Sequence, residues 1–169
     1  MADQSVSTQR LFRDMAGRFA TGVTVVTLRD SGEGLGMTAN AFSSVSLDPP
    51  LVLVCIDKGA SAYPSMQAAE GFAVNILSRQ QDELSSFLAR TGRGEDGDAM
   101  GGFAFRDGAN GSPILDGTLG WLDCRPWERY DGGDHTIGVG EVVDFELLQP
   151  DGDPLLFFSG GYRALSAGG

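Results

Sequence analysis

From Val23 onward the chain is written in short apolar or β-branched runs, each cut off by a cluster of Gly, Asp, Asn or Pro. Val23-Thr24-Val25-Val26-Thr27-Leu28 reads as a strand, because β-branched side chains suit a pleated surface. Asp30-Ser31-Gly32-Glu33-Gly34 supplies a turn or hairpin loop. Met37 to Ser46 is a second extended stretch of mixed polarity. Asp48-Pro49-Pro50 then forces a break, since proline fixes its own φ and restricts the residue before it. Leu51 to Ile56 is continuously apolar and predicts a buried strand. Further strands are expected at Phe72 to Leu77, Gly120 to Pro126, His135 to Phe145 and Leu155 to Phe158. No regular alternation of strand and helix accompanies them, so a doubly wound parallel sheet is not expected. The 25 glycines among 169 residues fit many tight turns. The expected fold class is mainly β, a β-barrel with added helices. The length is that of one domain spanning 1–169, able to bury a core without disulfides or a structural metal.

Helical signals are few. Ser7 or Thr8 can cap a helix carrying Leu11, Met15 and Phe19 at i, i+4, i+8, with Phe12 beside them. Gly17 weakens it and Gly22 would end it. Met1 to Val6 reads as a frayed tail. Ser61 to Ala69 could form a short helix. Ser78 with Gln81 matches a capping box opening a helix with Leu84, Phe87 and Leu88, ending near Gly92. Thr91 to Gly102 is glycine-rich and acidic, as a mobile loop would be.

The formal net charge of -11 argues against nucleic acid and against anionic membranes. An anionic small ligand would need a local positive or N–H-lined pocket. That directs attention to the only lysine, Lys58. Cys55 and Cys124 form no CxxC pair and read as reduced, partly buried side chains. With a single histidine, a zinc site is not expected. No N-terminal apolar segment or bilayer-length run exists, so a cytoplasmic protein is expected.

Gly32-Glu33-Gly34-Leu35-Gly36 lacks the GxGxxG spacing and no helix follows it, and no P-loop sequence occurs. Any dinucleotide would bind without a Rossmann fold. No GxSxG elbow exists for a serine hydrolase. Gly36 to Ser46 is dense in small hydroxyl and amide side chains. They could satisfy turns, or present donors to a planar heterocycle and its phosphate. Lys58 follows a buried strand and precedes Ser61, which could open a helix, an arrangement suited to a phosphate or to an ordinary solvated loop. His135, in Gly132-Gly133-Asp134-His135-Thr136-Ile137, has three readings: a structural histidine, a general base, or a cofactor contact.

Taken together these segments resemble the flavin reductase domain family, which includes the reductase components of two-component monooxygenases. The resemblance runs through Phe19-Ala20-Thr21-Gly22-Val23-Thr24-Val25-Val26-Thr27, Gly36 to Pro50, and Val74-Asn75-Ile76-Leu77. It continues with Gly133-Asp134-His135-Thr136-Ile137 through Gly140-Glu141-Val142 and closes at Gly161-Tyr162-Arg163. It implies a split, antiparallel Greek-key β-barrel of FMN-binding type, assembled as a homodimer with flavin sites near the subunit interface. Thr38, Ala39 and Asn40 would then meet the isoalloxazine. Ser43, Ser44, Ser46, Lys58 and Ser61 would meet the ribityl chain and phosphate. Met37, Val45, Cys55 and Asp57 would complete the flavin site, with Phe87 a further pocket residue. His135, helped by Asp134, would place the nicotinamide.

The activity so implied is reduction of free FMN or FAD by NADH or NADPH, with reduced flavin diffusing to a partner monooxygenase. Three other readings stand beside it. One is a flavin-binding electron carrier without NAD(P)H activity. Another is a pyridoxamine-phosphate type oxidase, which would want a more basic pocket. The last is a barrel-shaped interaction protein that binds no flavin.

Overall fold

The computed structural model describes residues 2–90 and 98–165. Helix α1 (Ala2–Ala16) leads into β1 (Thr21–Gly22), β2 (Thr24–Asp30), β3 (Glu33–Ala39), β4 (Phe42–Leu47) and β5 (Pro50–Asp57). Then come α2 (Tyr63–Ala68), β6 (Phe72–Ile76) and α3 (Asp82–Leu88). The chain finishes with β7 (Phe105–Asp107), β8 (Pro113–Leu115), β9 (Gly120–Gly132), β10 (His135–Leu147), β11 (Leu156–Phe158) and β12 (Gly161–Arg163). The architecture is mainly β with a few helices, as expected.

Seven strands form one antiparallel sheet in the order β3-β2-β6-β9-β10-β5-β4. Its two edge strands are consecutive in the chain, separated only by Asn40 and Ala41. A flat sheet of that width would hold its edges about 29 Å apart. The three peptide steps from Ala39 to Phe42 reach at most about 11 Å. The sheet must therefore curl, bringing the end of β3 to within that reach of the start of β4. There the Cys55 N–H donates to the Ala41 carbonyl at 3.0 Å. A smaller sheet, β1-β11-β12, and the β7-β8 pair pack outside it.

The period-2 alternation of strands divides the core. On β2, Val26 and Leu28 join Val52, Val54, Ile56, Phe72, Val74 and Cys124 in one cluster. Val25 faces the other way, joining Val23, Leu77, Leu84, Leu88, Met100, Leu115 and Leu155 beneath α3. With both faces covered, the polar side chains of this strand need internal partners. Thr24 Oγ1 donates to the Ala39 carbonyl at 2.6 Å. Asn75 Nδ2 donates to Thr27 Oγ1 at 2.9 Å, and Asn75 Oδ1 accepts the Leu115 N–H at 2.8 Å.

Several local expectations shift. Helix α1 starts before Ser7 and stops at Ala16, while Thr21 and Gly22 pair with β11. Leu11, Phe12 and Met15 of α1, and Phe19 just after it, are 66–79% exposed, so among the described residues this apolar face lies open. The stretch from Met37 to Ser46 splits at Asn40-Ala41 into β3 and β4. The first hairpin is tighter than expected: only Ser31 and Gly32 separate its strands, both at positive φ. The capping-box residues do interact, the Ser78 N–H donating to Gln81 Oε1 at 3.0 Å. They form the turn before α3: the Gln81 N–H donates to the Ser78 carbonyl at 3.0 Å, and the Ser78 hydroxyl reaches the Gly117 carbonyl at 2.8 Å and Gln81 Oε1 at 3.3 Å. Of the loop expected at 91–102, residues 91–97 lie outside the described residues, and Met100 is buried.

Candidate functional site

A cleft of about 230 Å3 opens between the end of β3 and the C-terminal turn of α3. Met37 and Thr38 form one wall, Leu88, Ala89 and Arg90 the other, and Asp57 with Gly59 to Ala62 the rim. Strand β3 is an edge strand, so its end is free to face a ligand. Helix α3 is pinned by Leu84 and Leu88 in the core, which leaves its last turn beside β3. A hydrogen bond joins the two sides: Thr38 Oγ1 donates to the Ser85 carbonyl at 2.7 Å.

The rim is a tight loop after β5. Asp57 Oδ1 accepts the Gly59 N–H at 2.7 Å. Ser61 lines the cleft but caps no helix, since α2 begins at Tyr63 with Ala62 in the capping position. The expected helix-terminus phosphate site is therefore not formed there. Lys58 turns toward the β9–β10 hairpin: its Nζ pairs with Asp131 and donates to the Gly133 carbonyl at 2.7 Å, while its N–H donates to the Asp134 carbonyl at 3.0 Å. The bond to Asp131 raises the Lys58 pKa and holds the Asp131 carboxyl below its usual range.

His135 opens β10 directly opposite Asp57, in register across the β5–β10 ladder. Its Nδ1 lies 2.7 Å from Asp134 Oδ1. The hydrogen bond from His135, and then its charge, hold the Asp134 carboxyl below the usual range. The imidazole is half-exposed, and its orientation is set by its neighbour. An orientable ring thus stands one strand away from the cleft rim.

The structure brings Met37, Thr38, Asp57 and Ser61 into the cleft, with Lys58, Asp134 and His135 at its edge. Ala39 is buried in the core and Asn40 is exposed at the corner. Ser43, Ser44, Val45 and Ser46 lie along edge strand β4, beyond β5, where a bulge at Val45 interrupts the register. Cys55 is half-buried on β5, and burial raises its thiol pKa. Phe87 does not line the cleft. Its ring meets Phe103 edge-on, centroids 5.8 Å apart, and any side chain at Gly101 would collide with it. It anchors the segment after α3.

Sequence reasoning passed over Leu88, Ala89 and Arg90 as cleft residues. Their signal was the position of Arg90 just past a helix whose other face is apolar. The donor set fits a flavin. Met37 offers apolar wall to a planar ring with buried Leu88 behind the opposite side, Thr38 and Ser61 offer hydroxyls, and Arg90 offers a cation for an anionic tail.

Residues 16–166 match the flavin reductase like domain. The chain is 43% identical over 157 residues to the FMN reductase (NADH) SmoA of Agrobacterium fabrum, covering 93% of this chain and 86% of that protein. It is similar to the structure of NADH:FAD oxidoreductase SgcE6 from Streptomyces globisporus, with a TM-score of 0.89 and 37% identity over 95% of this chain and 94% of that one. A nitrilotriacetate monooxygenase component B homologue from Mycobacterium thermoresistibile is similar too, with a TM-score of 0.88 and 35% identity over 96% and 89% of the two chains. A match across nearly the whole length, carried by sequence and by structure, means that this chain belongs to the flavin reductase like domain family.

Proposed function

We propose that this protein is an NAD(P)H:flavin oxidoreductase that takes FMN or FAD as a substrate and releases it reduced to a separate monooxygenase. The observation that carries the reading is the cleft between β3 and α3 with His135 one strand from its rim. Much of the cleft lining is exposed, including Asp57, Gly59, Ser61 and Arg90, which suits a ligand that enters and leaves. The similarity to reductases named for NADH, FMN and FAD, and to a monooxygenase component, supports both cofactors and the partner class.

The cofactors supply the chemistry, a hydride passing from reduced nicotinamide to flavin, and the protein supplies position. Thr38, with Met37, Ala39 and Asn40, takes the ring system. Ser43, Ser44, Ser46 and Ser61 take the ribityl chain and phosphate, with Val45, Cys55 and Asp57 lining the same edge. Lys58 reaches the phosphate by exchanging its bond to exposed Asp131, and Arg90 adds a second cation. His135, oriented by Asp134, holds the nicotinamide amide or ribose.

The fold completes as a split Greek-key barrel in a homodimer, for which the exposed apolar face of α1 supplies contact area. No described helix is long and apolar enough to cross a membrane. We place the protein in the cytoplasm, a reducing compartment consistent with its two unpaired cysteines.

The test is oxidation of NADH and NADPH by purified protein, followed optically with FMN, FAD or riboflavin added. Flavin-dependent oxidation is expected, and the rates rank the flavins. Flavin binding without oxidation by either nucleotide would overturn the reductase reading and leave a flavin-binding module.

A further inference from the structure

The closing hairpin carries Tyr162, part of the Gly161-Tyr162-Arg163 segment that the cleft does not account for. Its ring meets Phe157 edge-on, with centroids 5.9 Å apart and planes at 69°. The two residues are register partners across β11 and β12, and Phe157 in turn pairs with Thr21 of β1. Tyr162 is thus held by a three-stranded sheet. From there its Oη lies 2.7 Å from the hydroxyl of Ser85, a fully buried side chain on α3.

Ser85 faces the cleft through its backbone. Its carbonyl accepts two hydrogen bonds, from the Ala89 N–H at 3.0 Å and from Thr38 Oγ1 at 2.7 Å. Ala89 lies on one wall of the cleft and Thr38 on the other. The Thr38 proton is committed to this carbonyl, so toward the cleft its oxygen can only accept. The position of Ser85 therefore sets both the spacing of the walls and the direction of the Thr38 lone pairs.

We propose that Tyr162 is a positioning residue for the flavin cleft, acting through Ser85 on Thr38 and on the last turn of α3. The proposal rests on the reductase reading and names a residue that reading leaves out. Tyr162 touches no cleft atom in this scheme; its hydroxyl braces α3 from behind. A half-buried tyrosine bound only for packing would lose little when its oxygen is removed, because ring and edge contact would remain. A brace for the cleft would loosen it specifically.

The test compares Tyr162→Phe, Thr38→Val and their double variant in the full chain. Flavin affinity is read by quenching of flavin fluorescence, and turnover by NADH oxidation. Tyr162→Phe should raise the flavin Kd and KM by about two- to tenfold, the loss of one hydrogen bond. Its kcat at saturating flavin should stay within about twofold of wild type, since the brace acts on binding geometry. Adding Tyr162→Phe to Thr38→Val should cost less than it costs alone, because the Thr38 end of the relay is already gone. Ser85→Ala reproduces the effect independently and serves if Tyr162→Phe folds poorly. An unchanged flavin Kd in both Tyr162→Phe and Ser85→Ala, or full additivity with Thr38→Val, overturns the proposal. If wild type binds flavin without oxidising NADH, the reductase reading fails while the Kd comparison still decides the role of Tyr162. If wild type binds no flavin, both fail.

Discussion

His135 and Asp123 are contrasting uses of a polar side chain. His135 is half-exposed, oriented by Asp134, and stands beside the cleft rim rather than in it. His135→Ala should raise the NADH KM by roughly tenfold, in keeping with about 1.4 kcal/mol per decade, and leave flavin affinity nearly unchanged. Steady-state kinetics and fluorescence titration separate the two; equal losses would remove its nicotinamide role. Asp123 is fully buried. One carboxylate oxygen accepts the Asn110 N–H at 2.9 Å, and the other has no partner. Burial, opposed by its backbone hydrogen bonds, raises its pKa above the ordinary carboxylate value. A carboxyl raised on folding stabilises the fold while protonated and loses that contribution as pH rises through its folded pKa. Asp123→Asn should remove this dependence. The stability of wild type relative to Asp123→Asn should therefore fall as pH climbs from about 4 toward neutrality. Parallel stability profiles at all pH values would show that folding leaves the Asp123 pKa unshifted.

At the scale of elements, β2 and β6 carry the design. Both are covered on two faces, so their interior polar groups bond to each other instead of to water. Asn75 spends its amide on Thr27 and the Val25 carbonyl, and its oxygen on the Leu115 N–H. It ties β6 to β2 and to β8 at once. Asn75→Leu would leave the Leu115 N–H buried and unpartnered, at a cost of roughly 1–3 kcal/mol, plus overpacking. A fall in the denaturant midpoint with an unchanged slope is the expected result. The two strand runs were legible in the sequence because β2 is β-branched on both faces and β6 is apolar apart from Asn75. The break at Asn40-Ala41 was not, because the local pattern from Met37 to Ser46 remains extended and polar throughout. Only the curl of the sheet makes those residues the corner that joins its two edge strands.

For the whole molecule, the exposed apolar face around α1 is the clearest departure, among the described residues, from a self-contained fold. Leu11, Phe12, Met15 and Phe19 lie in the open, in a chain whose net charge is -11. If two copies cover that face, Phe12→Glu with Met15→Glu should yield a monomer by sedimentation or light scattering. Association should also tighten with ionic strength, since salt screens repulsion between two acidic copies. A monomer in both wild type and variant would assign the face elsewhere.

Composition, turn clusters and the ordered motifs determined the fold class, the family resemblance and the places of the main strands along the chain. Those signals are local: side-chain shape sets strand or turn, and period 2 sets which faces are covered. Tertiary structure alone decided which motif residues share a cleft. It moved Phe87 to a loop anchor, tied Lys58 to the β9–β10 hairpin, and brought Arg90 to a wall opposite Thr38. Each of these depends on contacts between residues far apart in the chain. Such contacts follow from the curl and register of the sheet, which no short window of sequence encodes.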